Sequence, residues 1–152
     1  MAAKITSTKQ VEKLTIVADG LDRIGVFIEE DWGPGQARIT IEVFGEAWTF
    51  YWGSMGEGVT LRQFFTDVPY LAQKFCRGDI WETNYRELAD KLGECEEDLQ
   101  HNGLMHYDAE LRNAIGDDWY LELPQRHTHE FTYLKRIVNA IIEAFATEAE
   151  EA

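Results

Sequence analysis

Residues 37–58, ARITIEVFGEAWTFYWGSMGEG, constrain the fold more than any other part of the chain. Ile39, Ile41 and Val43 share one face of a two-residue period, Phe44-Gly45-Glu46 reverses the chain, and Trp48, Phe50 and Trp52 alternate with Ala47, Thr49 and Tyr51. Such a run packs as two strands with one apolar face. Upstream, Leu14 and Ile16 show the same alternation, Asp19-Gly20 signals a turn, and Ile24, Val26 and Ile28 repeat the period. Gly33-Pro34-Gly35 then breaks the chain before the third strand. The pattern predicts a four-stranded antiparallel meander over about residues 11–53.

One face of that sheet needs a cover, and the helical periodicity of about residues 60–147 can supply it. Thr60 caps a short segment with Leu61, Phe64, Phe65 and Val68 at helical spacing, which Pro69 ends. Tyr85, Leu88, Leu92, Cys95 and Leu99 form one stripe and predict a single helix from about Asn84 to Asn102-Gly103. A shorter helix follows from Asp108 to Ile115, and residues 119–123 read as an edge strand or a packed loop. The clearest element is the last, where Phe131, Leu134, Ile137, Val138, Ile141, Ile142 and Phe145 recur at three- and four-residue steps behind Thr128. The acidic tail 148–152 is expected to fray. The fold class is therefore α+β, with the sheet covered on one face by C-terminal helices. A chain of 152 residues with 45% hydrophobic content is expected to form one domain, 1–152.

No apolar run approaches the roughly 20 residues that cross a bilayer, and MAAKITSTKQ lacks the pattern of a leader, so the expectation is a soluble, cytoplasmic protein without membrane partners. Cys76 and Cys95 have no CxxC spacing, which predicts reduced, mostly buried thiols. The charge is uneven. Residues 79–123 hold 13 acids and 3 bases, against 10 and 8 in residues 1–78. A field of that sign repels phosphate backbones and attracts basic surfaces, which argues against direct nucleic-acid binding and for a basic protein partner. The candidate acidic face is Glu87, Asp90, Glu94, Glu97 and Asp98, although such residues also serve plain solubility.

No constellation identifies a reaction, so the chain reads as non-enzymatic, with no catalytic residue, cofactor or metal. His127 and His129 are two apart at a helix start, where their rings diverge, and His101 and His106 fit a solvated loop around Gly103. Ser54 lacks the G-x-S-x-G spacing of a nucleophile elbow. Glu29-Glu30-Asp31 and Asp117-Asp118 are sequence neighbours that diverge on regular structure instead of flanking a substrate. Gly53, Gly56 and Gly58 precede no Gly-Lys-Ser/Thr, so they turn the chain and do not cradle phosphate. The aromatic strand and its loop, with Trp48, Tyr51, Trp52, Ser54 and Met55, form a second candidate binding region, divided between core packing and a partner or oligomer interface.

Gly45-Glu-Ala-Trp48 followed by Tyr51-Trp52-Gly53-x-Met55-Gly56 resembles the G-x-A-W-x-x-Y-W-G-x-M-G signature of a family of short proteins of tailed phages and prophages. Gly33-Pro34-Gly35, Lys4-Ile5-Thr6-Ser7, Val11-Glu12-x-Leu14 and Phe64-Phe65 with Tyr70-Leu71-Ala72 extend the resemblance over about residues 4–76, whereas the acidic half shows nothing that matches. The resemblance implies a viral accessory role in the bacterial cytoplasm and brings no catalytic residue. Three functions are compatible with it. The first is an inhibitor of a host defence or nucleic-acid-binding protein that uses carboxylates as phosphate mimics. A small-ligand or nucleotide binder or enzyme, with a pocket near Tyr51, Ser54 and Glu57, is the second. The third is a homo-oligomeric assembly factor.

Overall fold

The structure, a computed structural model, describes residues 2–7 and 10–152. Met1, Thr8 and Lys9, part of the stretch read above for a leader, lie outside the described residues. The chain divides into two compact units: Met1–Gly78 with Glu130–Ala152, and Asp79–His129.

The first unit holds the expected meander: β1 (Val11–Ile16), β2 (Ile24–Glu29), β3 (Ala37–Val43) and β4 (Glu46–Trp52), in the order β1-β2-β3-β4 with every pair antiparallel. The register explains the core. Leu14 lies opposite Val26, Val26 opposite Ile41 and Ile41 opposite Trp48, so one row of apolar side chains crosses the whole sheet. Ile24, Val26, Ile39 and Ile41 are fully buried, each worth roughly 1.5–3 kcal/mol of transfer free energy. The β3–β4 reversal is a two-residue turn, Phe44-Gly45, with positive φ at both positions (49° and 80°), the hand that matches strand twist.

Among the described residues, three helices lie in this unit: α1 (Leu61–Phe64), α2 (Val68–Phe75) and, named in chain order, α6 (His129–Glu151), which enters it from Glu130 on. Thr60 caps α1 in a reciprocal capping box with Gln63. Pro69 was expected to end that helix, but instead it opens the next one. Asp67 caps α2 by accepting from the Tyr70 N–H, and proline fits a first turn because it lacks only an N–H that would have no helical partner. Phe131, Leu134, Ile137, Val138, Ile141 and Phe145 of α6 are buried, as their spacing predicts. The helix runs to Glu151, so the tail expected to fray is helical.

The second unit contains β5 (Trp81–Thr83), α3 (Tyr85–Leu92), α4 (Glu96–Asn102), α5 (Asp108–Ala114) and β6 (Gln125–His127), with short 3-10 turns at Leu104–Tyr107 and Trp119–Leu121. The helix expected over 84–102 is two helices. Gly93 adopts φ 69° and the Glu94 N–H returns to the Ala89 carbonyl at 3.0 Å, which ends α3. Cys95 consequently leaves the apolar stripe and stands exposed at the α4 N-cap, while Cys76 is half-buried, which corrects the expectation of mostly buried thiols. Leu88, Ala89, Leu99, Tyr107, Leu111 and Trp119 form this unit's own core. Residues 119–121 form a 3-10 turn, and the strand in this region is β6, paired with β5. No helix among the described residues is long and apolar enough to cross a membrane.

Candidate functional site

The acidic residues concentrate on the unit Asp79–His129, which holds 13 Asp and Glu side chains and 4 Lys and Arg. Two of those bases are engaged inside the unit. Arg112 binds Asp108 at 3.0 Å and Asp117 at 3.4 Å, and Arg126 binds Glu82 at 3.0 Å and Glu96 at 3.2 Å. Asp108 also accepts from the buried Trp119 indole at 2.9 Å. The indole first, and then Arg112, hold its carboxyl below the usual carboxylate range.

Glu87, Asp90, Glu94, Glu97 and Asp98 are all exposed. Glu87 and Asp90, three residues apart on α3, share a side of that helix, Glu94 follows the Gly93 corner, and Glu97 and Asp98 stand in the first turn of α4. Part of this placement has a structural use. Glu96, Glu97 and Asp98 sit where a helix presents unpaired N–H groups, and α4 has no side-chain N-cap bond. His127 lies on β6 with its ring 4.2 Å from that of Trp81, whereas His129 begins α6; His101 and His106 are exposed. Among the described residues, no group of three or more His, Cys, Asp or Glu side chains is arranged to hold a metal.

The aromatic candidates separate by strand alternation. Trp48, Trp52 and Met55 lie in the core, while Tyr51 and Ser54 are exposed. The Trp52 ring packs edge-on against Phe64, Phe65 and Phe75, and its indole donates to the Tyr70 hydroxyl at 3.3 Å. The Trp48 indole donates to Glu130 at 3.2 Å, and Glu130 also accepts from the Arg77 backbone at 3.1 Å. Burial pushes the Glu130 carboxyl up, but the Arg77 N–H, the indole and the Arg77 guanidinium together hold it below its ordinary value. Sequence reasoning missed this carboxylate because nothing in a pattern links positions 82 residues apart.

Gly35 and Gly56 explain the glycines of the loop. Met55 N–H donates to the Gly35 carbonyl at 2.8 Å, and a Cβ on Gly35 would stand 2.5 Å from the Gly56 carbonyl oxygen. The backbones of the two turns touch, so the Gly33-Pro34-Gly35 turn and the loop after β4 form one structural lock. On the opposite face of the sheet, Arg38 makes a bidentate pair with Glu29 at 2.8 and 3.0 Å and lies over Trp32, whose ring meets Tyr51 edge-on.

Within the same unit, Arg62 bridges Glu12 of β1 at 2.7 Å and Glu148 of α6 at 2.5 Å, with its guanidinium over the Phe145 ring. The bond from Glu12 first, and then that from Glu148, raise the Arg62 pKa above its ordinary value. Arg136 of α6 donates to the Gly20 carbonyl in the β1–β2 turn at 2.7 Å. Two arginines thus tie the edge of the sheet to the last helix.

Residues 3–147 match the model of a family of phage proteins, Phage_phiTE_072, described as a phage family. The match spans nearly the whole chain, and the protein belongs to that family. It also extends the likeness past residue 76, through the acidic unit in which the sequence alone showed nothing to match. No curated protein and no solved structure matches the chain.

Proposed function

We propose that this phage protein is a non-catalytic accessory factor that binds a host protein in the bacterial cytoplasm through the acidic surface of Asp79–His129. The carrying observation is the charge of that unit: a core of its own, 13 acids against 4 bases, and two of those bases held in internal ion pairs. Glu87, Asp90, Glu94, Glu97 and Asp98 are left facing solvent, with only Arg86 and Lys91 as the other bases of the unit. A surface of that kind steers basic partners at long range and repels nucleic acid. Nucleic-acid-binding proteins carry the complementary charge, so inhibition of a host nuclease or other defence protein by phosphate mimicry is the specific form of the proposal.

The test is capture from host lysate by the tagged chain at about 0.1 and about 1 M salt, between which the Debye length falls from about 10 to about 3 Å. A partner with a basic surface, retained at low salt and released at high salt, is the expected result. A variant with the five carboxylates changed to Gln or Asn should lose that partner while keeping its circular dichroism spectrum. Equal retention by the variant would remove the acidic surface from the account.

A further inference from the structure

A groove of about 820 Å³ lies in the Met1–Gly78 and Glu130–Ala152 unit, between the end of β1 with its following turn and the last four turns of α6. We propose that this groove binds an extended basic segment of a partner protein by adding it as a strand to the β1 edge. This goes beyond the reading above, because it uses the other unit and another mode of recognition.

Three observations carry the assignment. The first is the edge. Within the described residues β1 pairs only with β2, so alternate N–H and C=O groups along its other side are free to receive a strand, and Val17 just beyond it is 81% exposed. The second is the wall opposite. Ala140 and Ala144 place small side chains along α6, leaving room for a backbone between helix and edge, and Ile16 and Leu21 supply apolar contacts. The four helical turns span about 20 Å, the length of six extended residues at about 3.3 Å each. Arg62 to Glu12 and Glu148, and Arg136 to Gly20, join helix to strand and preform the groove.

The third observation is charge. Asp19, Glu143, Glu148 and Glu151 rim the groove with Arg136 as its one lining base. Glu148, Glu150 and Glu151 stand at the C-terminal end of α6, whose last turn holds no basic residue. Glu148 is held by Arg62, but the negative end of the helix dipole disfavours Glu150 and Glu151, for which the helix itself supplies no reason, whereas a Lys- or Arg-bearing segment would satisfy both the dipole and those two carboxylates. Edge-strand addition beside a helix takes affinity from backbone bonds and selectivity from alternate side chains.

The experiment titrates the full chain, at low salt, with a fluorescein-labelled Lys-Val-Lys-Val-Lys-Val peptide, followed by anisotropy and by hydrogen exchange. Binding should protect alternate amides within residues 15–18, and N-methylation of alternate peptide amides should weaken it at least about tenfold, because it removes the strand-pairing donors. Val17→Pro, which removes a backbone N–H just beyond the paired strand and stiffens the edge, and Glu143→Lys, which reverses an exposed rim charge, should each lower affinity by a similar factor. Absence of binding, equal affinity for the N-methylated peptide, or protection confined to residues 79–129 would overturn the proposal. So would a dimer in sedimentation that Val17→Pro dissolves, since that would give the groove to a second copy of this chain. Loss of lysate capture in the five-carboxylate variant with this binding intact would separate the two sites.

Discussion

Substituting Gly35 and Gly45 by alanine, one at a time, tests the lock between the two turns. Both glycines have positive φ, 67° and 80°, so each alanine takes on the left-handed conformation at a cost of about 1–2 kcal/mol. Gly45 has no atom within 4 Å of an added Cβ, and its substitution should cost no more than that. At Gly35 the added Cβ would lie 2.5 Å from the Gly56 oxygen and 3.2 Å from its carbonyl carbon, so backbone must move. Separation breaks the Met55 to Gly35 hydrogen bond, about 1 kcal/mol, and loosens the burial of Met55, worth up to about 2 kcal/mol. Gly35→Ala should therefore exceed Gly45→Ala by about 2–3 kcal/mol. With a urea dependence of about 2 kcal/mol per M, the midpoints differ by roughly 1 M, measured by tryptophan fluorescence together with amide exchange in β2–β4. Equal losses for the two variants would refute the claim that the turns touch through backbone.

Trp48→Phe keeps an aromatic ring in the core but removes the donor to Glu130, and should destabilise the sheet-bearing unit by about 1–3 kcal/mol in urea titration. Leu99→Ala empties a fully buried position in the second unit and should cost about 2–5 kcal/mol, read as faster amide exchange in α3–α5 with β1–β4 unchanged. Uniform acceleration across both units would show that they unfold together. Glu29, Asp108, Glu130 and Glu148 all have pKa values below their ordinary ones, so the unfolded chain takes up more protons as the pH falls through the carboxylate range. The stability they contribute is present above the unfolded carboxylate values near pH 4 and is lost as the pH drops through the lower folded ones. Urea midpoints at pH 6, 5, 4 and 3 should fall on the acid side, and a midpoint that rises toward pH 3 would contradict the sign.

The sheet was legible because each strand exposes a two-residue period that only one register can bury, and the alternation of Trp48, Tyr51 and Trp52 already separates inward from outward rings. The last helix was legible because seven apolar residues repeat over four turns. Three features were not. A helical stripe through Tyr85, Leu88, Leu92, Cys95 and Leu99 carries no mark of the left-handed residue that cuts it, except that position 93 is glycine. The strands Trp81–Thr83 and Gln125–His127 are three residues each, too short for a period to show. The division into units depends on which apolar faces meet, and no local pattern encodes that. Of the candidate site, the five carboxylates are nameable from the uneven charge of the sequence, whereas Glu130, the Arg62 bridge and the groove exist only through long-range contacts.

The central claim, that Asp79–His129 acts as an electrostatic docking surface, is tested most directly by calorimetric titration of the captured host protein against the full chain over a range of salt concentrations. Affinity should fall steeply with salt, and the slope should flatten when Glu87, Asp90, Glu94, Glu97 and Asp98 are neutralised. Affinity independent of salt and unchanged by those substitutions would contradict it.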